Sequence, residues 1–479
     1  MPKITLLLSF CLLLLNCGIA QTGTFYFSPL SSTAYAPKIL ALKGRVPAIV
    51  YTDKKQQKAY AEIIAGRDKS LIEDFEENQL IDDTMLLHKC NTIINKMKAA
   101  NPAFPFNNIT VYINRSCVAN ASCFGEGTLF VNMGLFLWID NDDELALIIG
   151  HELSHQFLNH AESRIKNNIT LLSSDEFIAE MKAIKKSQDG KYERYKKLMK
   201  DMVTENGTHS RYKETEADSL GLILTKNAGY NTTAAAQILL KLNNVEDLFD
   251  AGNIYSVKAA FEKSGADSLV FRKNSKYHGL SNETVTMSAD KGFDSIKTHP
   301  DCVVRYKKLV GQTAEKPVIK CCTAISPFFK GSKERALIEL VRYEYEKGQL
   351  TLCAHVCLFA LQNGYTGSFY NAFLSLCFSG IYAADKKFQK FSVTDSKAKA
   401  NSTLKELQDM IFNTNSDNIA TIANYFLSNA GSQADEDYLF AKLMYNKAVK
   451  AQDEAGLAKH FTTNFPHSKY IYLLNTKKP

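Results

Sequence analysis

Two histidines four residues apart, in the run His151-Glu152-Leu153-Ser154-His155, constrain this chain more than any other feature. At 3.6 residues per turn, positions four apart share one helical face, so both imidazoles can reach a single metal ion. Glu152, beside the first ligand, is left to act as a base toward a water at that metal. The residues upstream supply the helix. Asn141 and Glu144 stand at capping-box spacing, and Asp142, Asp143 and Glu144 place acids in the first turn. Leu145, Ile148 and Ile149 then give an apolar stripe at helical spacing that runs into the motif.

A catalytic zinc site takes three protein ligands and leaves one position open. His160 is the nearest further histidine, but the extended pattern that would recruit a third one needs Gly and His where this chain has Leu158 and Ala161. The segment Glu214-Thr215-Glu216-Ala217-Asp218-Ser219-Leu220-Gly221 reads instead as a second helix, stopping at Asn227-Ala228-Gly229. Glu214 and Asp218 share one of its faces. One carboxylate can bind the metal while the other accepts the N–H of a ligand histidine and so fixes its tautomer. A solvated acidic face is the competing reading.

Taken in order along the chain, four segments resemble the gluzincin metalloproteases, the family that includes the CAAX prenyl protease, the HtpX heat-shock membrane protease and the periplasmic BepA-type proteases. The run Asn120 to Gly127 with Thr128 to Leu135 is similar to that family's edge strand and preceding turn, although Phe124-Gly125-Glu126 stands where a proline is usual. Asp143 through His160 resembles its active-site helix, Glu214 through Asp218 its E-x-x-A-D signature, and Thr298-His299-Pro300 with Arg305 its T-H-P…R motif. The resemblance covers about residues 80 to 312. It implies one Zn²⁺ per chain on His151, His155 and Glu214, with Asp218 supporting a ligand. It also implies that Thr128, Leu129, Phe130 and Val131 bind substrate backbone by strand addition. His299 and Arg305 would either contact the oxyanion of the tetrahedral intermediate or brace the metal-binding carboxylate; a plain helix start at Pro300 is the structural alternative.

At 479 residues the chain has room for two or three domains. Lys3, the apolar run from Ile4 to Leu15 and Gly18-Ile19-Ala20 read as an export signal over residues 1–20, with Gln21 as the new terminus. Leu14-Leu15-Asn16-Cys17 also partly resembles a lipid-attachment site, with Asn16 ill-suited before the cysteine. No stretch approaches 18 uninterrupted apolar residues, so no transmembrane span is expected. The net charge of +7 comes with mixed signs rather than a basic stripe, and nucleic acid is not an expected partner. Cleavage after residue 20 would leave nine of the eleven cysteines, an odd number, with Cys117 and Cys123 the best-placed pair for a disulfide. Eight N-x-S/T sequons include sites beside the expected edge strand, where glycans would obstruct it; a bacterial periplasm or cell envelope is the setting expected.

The expected fold is mainly α with a small β-sheet: an irregular and helical segment over 21–80, an α+β metalloprotease domain over 81–319, and an α-helical domain of tetratricopeptide type over 320–479. Short strands are expected at 109–113 and 128–132, and a charged, solvated helical insert at 161–209. The C-terminal helices are expected to bind a protein partner and to be separable from the catalytic domain near residue 320. The chemistry expected is zinc-dependent hydrolysis of peptide bonds in unfolded or misassembled envelope proteins. The rival is an envelope chaperone or scaffold that rarely cuts.

Overall fold

Side-chain caps start the helices that frame the metal-ligand motif. In the computed structural model, Asp53 heads α1 (Lys54–Glu76) and Asp83 heads α2 (Thr84–Ala100), each carboxylate accepting two backbone N–H groups of the first turn. Asn141 caps α3 (Asp142–Phe157) with its amide oxygen, which accepts from Glu144 N at 3.0 Å. The capping box is shifted by one residue. Glu144 accepts from Asp140 N at 2.7 Å rather than from the cap itself, while Lys241 holds its other oxygen at 2.6 Å. The structure describes residues 49–77, 79–124, 127–187, 189–243, 256–266, 302–311, 325–365, 367–393, 402–432, 435–451, 453–468 and 470–475, with backbone alone for 199–210, 402, 472 and 475. His299 and the expected export signal lie outside the described residues.

Four short strands form one sheet: β1 (Leu80–Ile81), β2 (Thr110–Asn114), β3 (Ala121–Cys123) and β4 (Thr128–Asn132), in the order β1-β2-β4-β3. β4 runs parallel to β2 and antiparallel to β3. This corrects the expected edge strand. Thr128, Leu129, Phe130 and Val131 are buried and paired on both sides, so no substrate can add to them. The cause is the turn ahead of β4, where Phe124 N bonds Thr128 O at 2.8 Å and Gly127 N bonds Phe124 O at 3.1 Å, folding β3 back as a hairpin. Gly127 has φ of 96°, and a Cβ there would meet Asn108 O at 2.7 Å, so the turn requires glycine. The sheet edge that lies along α3 belongs to β3.

The insert after the motif is three helices, α4 (His160–Ser173), α5 (Asp175–Lys186) and α6 (Lys191–Asn227). The last is a single helix of 37 residues, so the carboxylate segment 214–218 is its C-terminal half rather than a short helix of its own. It stops as expected, with Gly229 at positive φ. α7 (Thr232–Leu242), α8 (Val257–Phe261) and α9 (Cys302–Val310) follow, α7 packing on α3 and α9 on both α6 and α7. α3 is buried on nearly every side, the mark of a helix at the centre of a domain.

Helices continue to the end of the chain: α10 (Pro327–Glu346), α11 (Leu350–Gln362), α12 (Ser368–Asp385), α13 (Ser402–Asn413), α14 (Ser416–Ser428), α15 (Glu436–Val449), α16 (Glu454–Asn464) and α17 (Tyr470–Asn475). α12 is central, packing against α11, α14 and α15. The packing does not break at 319/320. Phe329, Leu337, Leu340 and Val341 of α10 share one apolar core with Leu135, Phe136 and Leu145. Ion pairs reinforce that contact. Lys333 meets Asp140 at 3.0 Å, Arg335 meets Asp83 at 3.1 Å, and the buried Arg115 pairs with Glu339 and, at 2.8 Å, with Glu346.

The expected disulfide is also corrected. Cys117 and Cys123 are not bridged, and their surroundings differ. The Cys123 thiol lies 3.2 Å from Gln156 Oε1 on α3, whereas burial and the Glu344 carboxylate push the Cys117 thiol up to about 12. No helix among the described residues is long and apolar enough to cross a membrane.

Candidate metal centre

α3 and α6 cross with their backbones in contact, and two glycines make that crossing possible. A Cβ on Gly221 would stand 2.8 Å from His151 N and 2.9 Å from its Cα, and one on Gly150 would stand 2.9 Å from Gly221 O. Backbone atoms at these distances cannot step aside, so only glycine allows the approach. Thr225 Oγ1 donates within α6 to Gly221 O at 2.7 Å and reaches across to Ala146 O of α3 at 3.5 Å. Glu214 lies two turns before Gly221, and the contact therefore sets it beside the histidines.

Three donor atoms converge there. His151 Nε2 and His155 Nε2 are 3.1 Å apart, and Glu214 places Oε2 3.5 Å from the first and Oε1 3.3 Å from the second. Three ligands about 2.0–2.1 Å from a tetrahedral zinc ion would stand roughly 3.3 Å from one another. The donor set fits. Among the described residues, these three form the one group of His, Cys, Asp and Glu side chains close enough to share an ion. Glu152 is 94% buried and has Oε1 4.0 Å from His151 Nε2, beside the donors and outside their triangle.

The charge balance also fits a divalent cation. Glu152, Glu214 and Asp218 are buried together, and Arg305 is the buried cation among them. His151 Nε2 and His155 Nε2, 3.1 Å apart, can share a hydrogen or, with both rings neutral, turn their lone pairs to one cation. His151 feels the same excess of negative charge. Burial and Arg305 lower its pKa, yet hydrogen bonds to Asp218 and Glu214 and the Glu152 charge carry it up to about 9.

Asp218 and Arg305 stand behind His151. His151 Nδ1 meets Asp218 Oδ1 at 2.9 Å, which directs Nε2 to the donor triangle. Arg305 grips Asp218 with both arms of its guanidinium, Nε to Oδ2 at 2.8 Å and Nη2 to Oδ1 at 2.6 Å, and lies 3.7 Å from Glu214. Burial raises the Asp218 pKa, but the bonds from Arg305 and His151 hold it near 2. Arg305 thus directs its donors at carboxylates, with Nη2 also 3.3 Å from His151 Nδ1. His155 has a different support: its Nδ1 lies 2.9 Å from His160 Nδ1, and His160 Nε2 lies 3.3 Å from Glu216. Sequence reasoning sets His160 aside as a third ligand, includes it in the segment that resembles the active-site helix, and gives Glu216 no role; the His–Glu pairing crosses two helices and has no spacing signal.

Comparison with known proteins agrees with this geometry. Residues 88–313 match the model of peptidase family M48. That segment is similar to the M48 peptidases. The matched segment contains His151, Glu152, His155, Glu214 and Asp218, together with Arg305. A curated relative, the mitochondrial metalloendopeptidase OMA1 of Arabidopsis thaliana, is 27% identical over 176 residues, 36% of this chain and 33% of that protein. The match thus spans about a third of the relative's length.

Proposed function

We propose that this protein is a zinc-dependent endopeptidase that cuts extended, unfolded polypeptide segments. The observation that carries the reading is the convergence of His151, His155 and Glu214 beside a buried carboxylate, Glu152, that is not needed to hold an ion. A zinc ion bound there would polarise the scissile carbonyl and lower the pKa of a water molecule toward neutrality. Glu152 takes the proton from the attacking water and passes it to the leaving amine. Asp218 and Arg305 keep the ligands oriented through that cycle. A scaffold without catalysis would have no physical use for Glu152.

The substrate strand is placed on β3. In the β3–β4 ladder Asn120 O and Phe124 N bond toward β4, so the backbone groups of Ala121 and Cys123 project from the opposite side. An extended peptide pairing there would run along α3, past the metal ligands, in place of the expected pairing with Thr128–Val131. A folded domain cannot offer such a strand. That requirement supports a role in protein quality control, in the exported or cell-envelope setting expected from residues 1–20, with unfolded envelope proteins as substrates and a protein partner on the C-terminal helices.

The test is digestion. Purified full-length protein loaded with zinc should fragment a reduced, unfolded polypeptide and leave its folded, disulfide-intact form whole. A chelator should stop the reaction and added zinc restore it. No cleavage of the unfolded polypeptide by zinc-loaded protein would contradict the proposal.

A further inference from the structure

We propose that His160 and Glu216 form a second positioning relay, which holds His155 as a metal ligand in the way that Asp218 holds His151. The proposal rests on the zinc reading of the site. It begins from an asymmetry. His151 has a carboxylate on its outer nitrogen at 2.9 Å, whereas the outer nitrogen of His155 faces another imidazole, His160, at 2.9 Å. Two ring nitrogens at that distance share one hydrogen. His155 Nε2 belongs to the donor triangle and must keep its lone pair for the ion, so His155 carries its hydrogen on Nδ1 and donates it to His160 Nδ1. His160 then carries its own hydrogen on Nε2, where the Glu216 carboxylate stands 3.3 Å away to accept it. Every ring nitrogen in the chain has one role.

The backbone is shaped to deliver this contact. In an uninterrupted helix, position 160 would lie about 140° around the axis from position 155 and would point elsewhere. α3 instead ends at Phe157, and Asn159 takes the left-handed conformation, φ 53° and ψ 35°, before α4 starts at His160. A non-glycine residue in that region is uncommon, and asparagine is among the few that tolerate it. The break turns the His160 ring back onto His155, with ring centroids 5.0 Å apart, and leaves His160 buried at 7% exposure. A further contact holds the backbone of His160: Lys213 Nζ donates to His160 O at 3.3 Å. Glu214, Glu216 and Asp218 therefore serve one centre from three successive alternate positions of α6: a ligand, and one support for each histidine.

The experiment measures zinc affinity by competition with a chromophoric chelator, for the full-length wild type and for His160→Ala, Glu216→Ala and Glu216→Gln. Melting of the zinc-free forms and kcat at saturating zinc are read alongside. Supporting ligands of this kind are worth about 10–100-fold in metal affinity. His160→Ala should lose affinity on that scale and Glu216→Ala by less, because Glu216 is half-exposed and acts through His160. Glu216→Gln should recover affinity close to wild type, since its amide oxygen still accepts from Nε2–H. The zinc-free melting temperatures should stay together. Wild-type affinity in both His160→Ala and Glu216→Ala, or a lowered zinc-free melting temperature with affinity intact, would overturn the relay while leaving the zinc reading standing. A wild type that binds no zinc would overturn both.

Discussion

Glu152→Gln should bind zinc as the wild type does and lose roughly 10²- to 10⁴-fold in kcat, the range of a removed general base. The substitution keeps the volume and one acceptor oxygen of the side chain, so the packing of a residue with 6% exposure is preserved. What it removes is the capacity to take a proton from water. Because Glu152 lies outside the triangle of His151, His155 and Glu214, no donor to the metal is lost with it. Peptide hydrolysis by zinc-loaded protein reads the effect directly. Activity within a few-fold of wild type would remove Glu152 from the chemistry.

Ending the chain at residue 319 should leave a segment that neither folds stably nor holds zinc stoichiometrically. α10 fills the core against Leu135 and Phe136, which lead into α3, so its removal exposes the apolar floor beneath the metal helix. It also removes Glu339, Arg335 and Lys333, which pair with Arg115, Asp83 and Asp140. Loss of the buried apolar contacts is the larger effect, set against the roughly 5–15 kcal/mol that holds a domain folded. Thermal unfolding and metal content of a chain ending after α10, compared with one ending before it, read the effect. A soluble 1–319 segment with cooperative melting and full zinc occupancy would show that the two regions are independent after all.

The parts legible from the chain alone were those written in local spacing. Asn141, the acids after it and the four-residue histidine interval placed α3 and its ligands, and Glu214 and Asp218 followed from one more helical interval. Strand order was not written that way. β3 is three residues long, and its apposition to β4 depends on the glycine turn, so Thr128–Asn132 resembled an edge until the hairpin was seen. Long-range charge pairing was equally silent: Arg115 and Glu339 are 224 residues apart and neither carries a pattern. The exclusion of His160 as a third ligand, on Leu158 and Ala161, agrees with the structure, but its contact with His155 depends on the left-handed Asn159, which no spacing signals.

The central claim is that His151, His155 and Glu214 hold one zinc ion, and metal content measured on purified protein tests it most directly. Wild type should retain close to one zinc per chain after dialysis against metal-free buffer. Glu214→Ala, left with two imidazoles, should retain little and lose hydrolysis with it. Equal zinc content and activity in the two proteins would contradict the account.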